Sequence, residues 1–150
     1  MKYIIGAFLL IVSVYSFGEQ IQMRLADDQS GVYIVGAKVN GLPVPFILDT
    51  GASTTLLPRS VIQFLIQHGR LTPRDVIRTG KASIANGDTI NDVTFNIRDF
   101  QIGNTVLHNV EIGTMLGSED STSFLLGQNV LRQFSRWGFD NRTGILIIDK

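Results

Sequence analysis

The spacing of apolar residues along this chain changes several times, and each change marks an element. An uncharged, mostly apolar stretch, residues 3–17, comes first. Residues 20–25 then predict a short strand, and a polar connection covers 26–31. Two strand-like apolar runs, 32–39 and 42–48, follow with Asn40-Gly41 between them. Asn-Gly suits the left-handed backbone of a two-residue hairpin turn, so these runs predict a hairpin. Pro43 and Pro45 have no N–H for a ladder, which places the start of the second strand at a sheet edge. That strand ends at Asp49. From residue 58 to 68 the period lengthens: Val61, Ile62, Leu65 and Ile66 share a helical face, with Pro58 at the start and Gly69 just beyond the end. Thr72-Pro73-Arg74-Asp75 has the form of a capped single turn.

Residues 78–93 predict a second hairpin around the turn Ala85-Asn86-Gly87-Asp88. Its arms carry few large apolar groups, so it belongs to the surface, either as a plain hairpin or as a flap that closes over a ligand. Val93, Phe95 and Ile97 alternate with polar residues, and beyond Gly103-Asn104 a further strand carries Val106, Val110 and Ile112. A polar loop at 117–123 precedes the apolar run Phe124-Leu125-Leu126, which ends at Gly127. Val130, Leu131 and Phe134 predict a short helix over 130–136, and 137–140 with 145–148 predict a closing hairpin.

Composition narrows the class. The 150 residues and 44% hydrophobic content suffice for one domain with a proper core, and the Val, Ile, Thr and Phe content favours strand. Thirteen basic residues balance thirteen acidic ones and are scattered singly, so nucleic acid is not an expected partner. There is no cysteine, hence neither a disulfide framework nor a Cys-ligated metal. His68 and His108 lack neighbours at ligand spacing, and no metal or cofactor is expected. Lys2 ahead of the apolar stretch, with Ser16 and Gly18 as small residues before Glu19, reads as an export signal. The alternative is an uncleaved anchor, although the run is shorter than the ~20 residues a membrane-crossing helix needs. The expected division is therefore 1–18 as signal or anchor and 19–150 as the folded domain, exported to a bacterial periplasm or held at the inner membrane. Any membrane contact would run through the N-terminal segment alone.

The chemistry concentrates in Phe46-Ile47-Leu48-Asp49-Thr50-Gly51-Ala52-Ser53. An apolar strand delivers a carboxylate to its end, and an unpaired carboxylate there is costly. Hydrogen bonding resolves the cost: Gly51 lets backbone come close, and the hydroxyls of Thr50 and Ser53 are candidate donors to Asp49. Taken alone, Asp-Thr-Gly is also compatible with an ordinary turn.

The segment Phe124-Leu125-Leu126-Gly127-Gln128-Asn129 parallels it, an apolar run ending in a glycine turn, as if the domain were built from two related halves. With the leading hairpin, the flap-like hairpin and the short C-terminal helix, the order resembles the retropepsin-like aspartic proteases, above all single-domain bacterial members with an N-terminal signal or anchor, over about residues 20–149. The resemblance implies an all-β fold, a closed antiparallel β-barrel with a flap hairpin and one or two short helices. It implies that Asp49 is the catalytic aspartate and that Thr50, Gly51, Ala52 and Ser53 form the active-site loop. Thr50 would bond across to a partner loop and Ser53 would donate to the carboxylate. Ala85, Asn86, Gly87 and Asp88 would form the flap tip, and Leu126 and Gly127 would pack against the active-site loop. Two positions depart from the pattern: Gln128 stands where an apolar residue is frequent, and Ile84 where a Thr is common.

Aspartic protease chemistry uses two carboxylates sharing one proton. This chain has a single Asp-Thr-Gly, so the resemblance implies a homodimer acting on a polypeptide substrate, with Asp49 and its mate on a two-fold axis. A dimeric binding module that kept the fold without proteolysis, and an unrelated β-barrel with a chance Asp-Thr-Gly turn, are the competing expectations.

Overall fold

The computed structural model describes residues 18–26, 31–83, 89–116 and 124–150. Strands β1 (Glu19–Gln22), β9 (Arg136–Asp140) and β10 (Ile145–Asp149) form a three-stranded antiparallel sheet in the order β1-β10-β9. The larger sheet takes β2 (Arg24–Leu25), β3 (Tyr33–Val39), β4 (Leu42–Leu48), β5 (Val76–Ser83), β6 (Thr89–Ile102), β7 (Thr105–Leu116) and β8 (Leu125–Leu126). Helix α1 (Arg59–Gln67), a 3-10 turn at Pro73–Asp75 and the single-turn α2 (Gln128–Leu131) complete the chain. Among the described residues, no helix is long and apolar enough to cross a membrane.

Turn chemistry placed the hairpins. Asn40 (φ 45°) and Gly41 (φ 80°) make the β3–β4 turn left-handed at both central positions, as Asn-Gly predicts. Pro43 and Pro45 lie opposite Lys38 and Gly36, and β8 takes only Ile47 and Leu48 on the other edge of β4, so neither proline breaks a ladder. The single turn at 73–75 carries the expected box, with Asp75 accepting from both the amide and the hydroxyl of Thr72 (2.7 and 2.9 Å).

One core serves both sheets. Val35, Val39, Val44 and Phe46 from the first hairpin meet Ile97, Phe100 and Ile102 of β6, with the Phe46 and Phe100 rings 5.6 Å apart. Ile62 and Leu65 of α1 cover one side, and Leu146 and Ile148 bring the small sheet onto the same core.

β6 is 14 residues long and changes partners along its length. Its inner end pairs with β3, while its outer end runs between β5 and β7. Residues 76–81 of β5 are exposed on both faces, so this hairpin projects from the body, as its poverty in large apolar groups implied. The expected tip, Ala85, Asn86, Gly87 and Asp88, lies outside the described residues.

Three expectations are corrected. The fold is all-β, but its sheets do not close into a barrel: the large sheet ends at β5, whose residues 76–81 are exposed on both faces, and beyond the two-residue β8 it continues, among the described residues, only through isolated bridges of Leu56 to Leu125 and Gly113. Nor is it wholly antiparallel, since β8 runs parallel to β4. The C-terminal helix is one turn at Gln128–Leu131 instead of 130–136. Phe134 is still buried, but the Ser135 amide bonds to the Asp149 carbonyl (2.9 Å) and draws the chain into β9, so the sheet ladder overrides the helical period.

Candidate active site

Asp49 emerges where β4 and β8 run side by side. Ile47 pairs with Leu125 and Leu48 with Leu126, so the register sets Asp49 in one run level with Gly127 in the other. Backbone bonds fix both ends: the Ile47 amide donates to the Phe124 carbonyl (2.7 Å), and the Asp49 amide to that of Leu126 (3.1 Å). The chain then folds back, and Asp49 Oδ1 accepts the amides of Gly51 (2.9 Å) and Ala52 (3.1 Å). The expected donors, the hydroxyls of Thr50 and Ser53, do not reach the carboxylate. The tight turn brings two backbone N–H groups close enough to replace them, and both hydroxyl-bearing residues are exposed. Oδ2 accepts no hydrogen bond from the described residues, and Asp49 is half-buried.

The loop after Asp49 and the loop after Leu126 are laced together. The Gln128 amide donates to the Ala52 carbonyl (2.9 Å) and the Asn129 amide to that of Ser53 (3.2 Å). The Gln128 side chain donates to the Thr50 carbonyl (2.9 Å), a bond that an apolar residue at this position could not make. Gly127 is required by space: a Cβ there would lie 2.6 Å from the Thr54 carbonyl carbon and 2.9 Å from the Ala52 carbonyl oxygen. Leu126 is fully buried beneath.

Thr55 and Asn129 tie the lacing to the core, and sequence reasoning gave neither a role. Thr55 has no exposed surface. Its amide and hydroxyl both donate to Asn129 Oδ1 (2.7 and 2.8 Å), and its hydroxyl accepts from the Gly127 amide (3.0 Å). Asn129 in turn donates to the Glu111 carbonyl on β7 (2.6 Å). The parallel between the two apolar-Gly segments was the available signal, because two turns packed back to back leave buried backbone groups that a polar pair must satisfy.

Asp49 and Thr50 line an open cavity of about 380 Å³ whose other walls include Tyr33, Ile47, Leu48 and Phe139. The Tyr33 and Phe139 rings stand 6.1 Å apart, and the Tyr33 hydroxyl donates to the Asn141 carbonyl (3.1 Å). The wall thus comes partly from the β9–β10 hairpin. The histidines belong elsewhere. His68 stacks on Phe64 with ring centroids 3.9 Å apart, and His108 pairs with Asp99 across the β6–β7 hairpin (2.8 Å), both exposed. Among the described residues, no cluster of three or more His, Cys, Asp or Glu could hold a metal ion.

A family model described as gag-polyprotein putative aspartyl protease matches residues 35–133, which hold Asp49, both interlaced loops and the projecting hairpin. No curated protein is similar enough in sequence to count as a match. Among solved structures, a retropepsin-like aspartic protease from Rickettsia conorii is similar with a TM-score of 0.58 and 22% sequence identity, covering 87% of each chain. That likeness extends to the fold.

Proposed function

This chain belongs to the gag-polyprotein putative aspartyl protease family, and we propose that it is an aspartic endopeptidase whose working form is a homodimer. One observation carries the reading. The Asp49 carboxylate lines an open cavity with both polar and apolar walls, with one oxygen fixed by two backbone amides and the other without a hydrogen bond from the described residues, on a loop that a second loop holds in place. A preset carboxylate on a rigid loop is what general acid–base chemistry requires.

The partner's Asp49 supplies the second carboxylate. Two carboxylates close together cannot both ionise, so the pair holds one proton. The ionised member takes a proton from water as the water oxygen attacks the scissile carbonyl. The protonated member donates to the carbonyl oxygen as the tetrahedral diol forms. As the diol collapses, one of its hydroxyls gives its proton to the ionised member, the C–N bond breaks, and the protonated member gives its proton to the departing amine, which leaves the dyad with one proton as it began. Amides on Oδ1 prevent the carboxylate from rotating, so Oδ2 is the oxygen presented to water. The projecting β5–β6 hairpin is the flap that covers the substrate and excludes bulk solvent. Apolar walls at Ile47, Leu48, Tyr33 and Phe139 favour apolar or aromatic side chains beside the scissile bond.

Residues 1–18 act as the export signal or anchor, with the protease domain outside the cytoplasm; the single Lys2 ahead of the apolar stretch supports this orientation. Fractionation of cells making the full chain tests it, and a wholly cytoplasmic product would contradict it.

Cleavage of an unbiased peptide library by residues 19–150, beside Asp49→Asn, tests the activity. Cleavage confined to wild type supports the protease. Folded, inert dimers of both proteins across acidic and neutral pH would make the chain a binding module.

A further inference from the structure

Asp49 and Ala52 close a β-turn, the Ala52 amide donating to the Asp49 carbonyl (3.3 Å), with Thr50 and Gly51 at its two central positions. Such a turn has two main forms that differ by a half-rotation of the central peptide unit, here the Thr50 carbonyl with the Gly51 N–H. The second form needs a left-handed residue at the second central position, which glycine supplies at no steric cost. Gly51 is not left-handed, so the turn holds the first form. In that form the Gly51 N–H reaches the carboxylate and donates to Asp49 Oδ1 (2.9 Å); a half-rotation would swing it away. Glycine thus leaves the unit that steadies the carboxylate free to turn over, and a group outside the turn must select the orientation.

Gln128 is placed to select it. Its Nε2 donates to the Thr50 carbonyl (2.9 Å), the other end of the same planar unit. A trans peptide carries its C=O and N–H on opposite sides, so turning the unit over would take the carbonyl from Gln128 as it takes the N–H from Asp49. Among the described residues Gln128 is the only donor to that carbonyl. The base of its side chain is rigid. The Gln128 amide donates to the Ala52 carbonyl (2.9 Å), the Gln128 carbonyl accepts from the Arg132 amide (2.9 Å), and Val130 and Leu131 of the same helical turn are fully buried. Hydrogen bonds at the two ends of one peptide unit also reinforce each other, since polarising the carbonyl makes the N–H a better donor.

We infer that Gln128 is a positioning residue for the reaction: its amide holds the Thr50–Gly51 peptide in the orientation that fixes Asp49 Oδ1 and leaves Oδ2 toward water. The inference rests on the protease reading above and adds to it the side chain outside the loop that sets the carboxylate.

Gln128→Leu is close in volume and keeps both backbone bonds of residue 128, but it has no donor. Cleavage by the full chain carrying it should show kcat reduced about three- to tenfold, the effect of one hydrogen bond, with KM within about twofold. Its melting temperature should stay near that of wild type, because Thr50 is exposed and water replaces the lost donor. Gln128→Glu separates hydrogen bonding from shape. Ionised, the carboxylate cannot donate to a carbonyl; protonated, it can. Measured against wild type at each pH, Gln128→Glu should cleave no better than Gln128→Leu at neutral pH and should overtake it below about pH 4, where a glutamate is protonated. Removal of a negative charge alone would bring the two variants only level. A readout independent of cleavage is the Gly51 amide proton, whose NMR resonance should move upfield in Gln128→Leu as its bond to Asp49 weakens. Equal kcat in Gln128→Leu and wild type, or a Gly51 resonance unmoved by the substitution, would overturn the inference while leaving the protease standing. A wild type that cleaves no peptide would overturn the protease reading, and the Gly51 resonance would then still decide whether Gln128 sets the carboxylate.

Discussion

Asn129 Oδ1 accepts two hydrogen bonds from Thr55, one from the amide and one from the hydroxyl, and this fork joins the loop carrying Asp49 to the loop that supports it. Asn129→Ala leaves two buried donors and the Glu111 carbonyl unpaired. Orphaned buried groups cost about 1–3 kcal/mol each, so the variant should lose roughly 3 kcal/mol of stability. Urea denaturation measures it, and a loss below about 1 kcal/mol, the worth of one ordinary hydrogen bond, would mean that the fork is not what holds the loops.

Gly127→Ala tests the same junction by volume. The added methyl would meet backbone of Thr54 and Ala52, which cannot rotate away. Overpacking costs about 1–3 kcal/mol and here should reach the upper end. Activity should fall further than stability, because the displaced atoms belong to the loop that carries Asp49. Melting temperature and kcat/KM, measured together, separate the two effects.

Asp75 gives a prediction in pH. Burial pushes its carboxyl up, but the Thr72 amide and hydroxyl and the Arg98 guanidinium outweigh that and hold it below its ordinary value of 3.8. The folded state therefore gives up this proton more readily than the unfolded one. The stabilisation is complete above the ordinary carboxylate range and is lost as pH falls through the folded-state value. Asp75→Asn should lower the urea midpoint at pH 7, and the gap from wild type should shrink below about pH 4. A gap independent of pH would remove the charge from the explanation.

Activity itself should follow a bell in pH with an acidic to near-neutral optimum, because only the singly protonated pair can both activate water and polarise the carbonyl. A pH series of kcat/KM checks this, and a rate still climbing at strongly alkaline pH contradicts it.

The parts of this molecule that obey local rules were legible in the sequence. Asn40-Gly41, the Thr72 to Asp75 box, the α1 face and the place of Asp49 at a strand end all follow from short-range chemistry. What escaped depends on residues far apart. The carboxylate is held by amides of Gly51 and Ala52 because of how tightly the turn closes, which residue types do not reveal. Thr55 and Asn129 are 74 positions apart, and neither looks special until the two loops meet. The helix expected through Phe134 yields to a ladder bond from the Ser135 amide to the Asp149 carbonyl, and the barrel stays open because residues 76–81 of β5 bury neither face.

The most direct test of the central claim is a mixing experiment. Wild type and Asp49→Asn are combined at fixed total concentration, allowed to exchange subunits, and assayed for peptide cleavage. If each active site needs Asp49 from both chains, activity follows the square of the wild-type fraction, so an equal mixture keeps roughly one quarter of the wild-type rate. A straight-line decline, with half the rate at equal mixing, would mean that each chain cleaves alone and that Asp49 has no partner across a dimer.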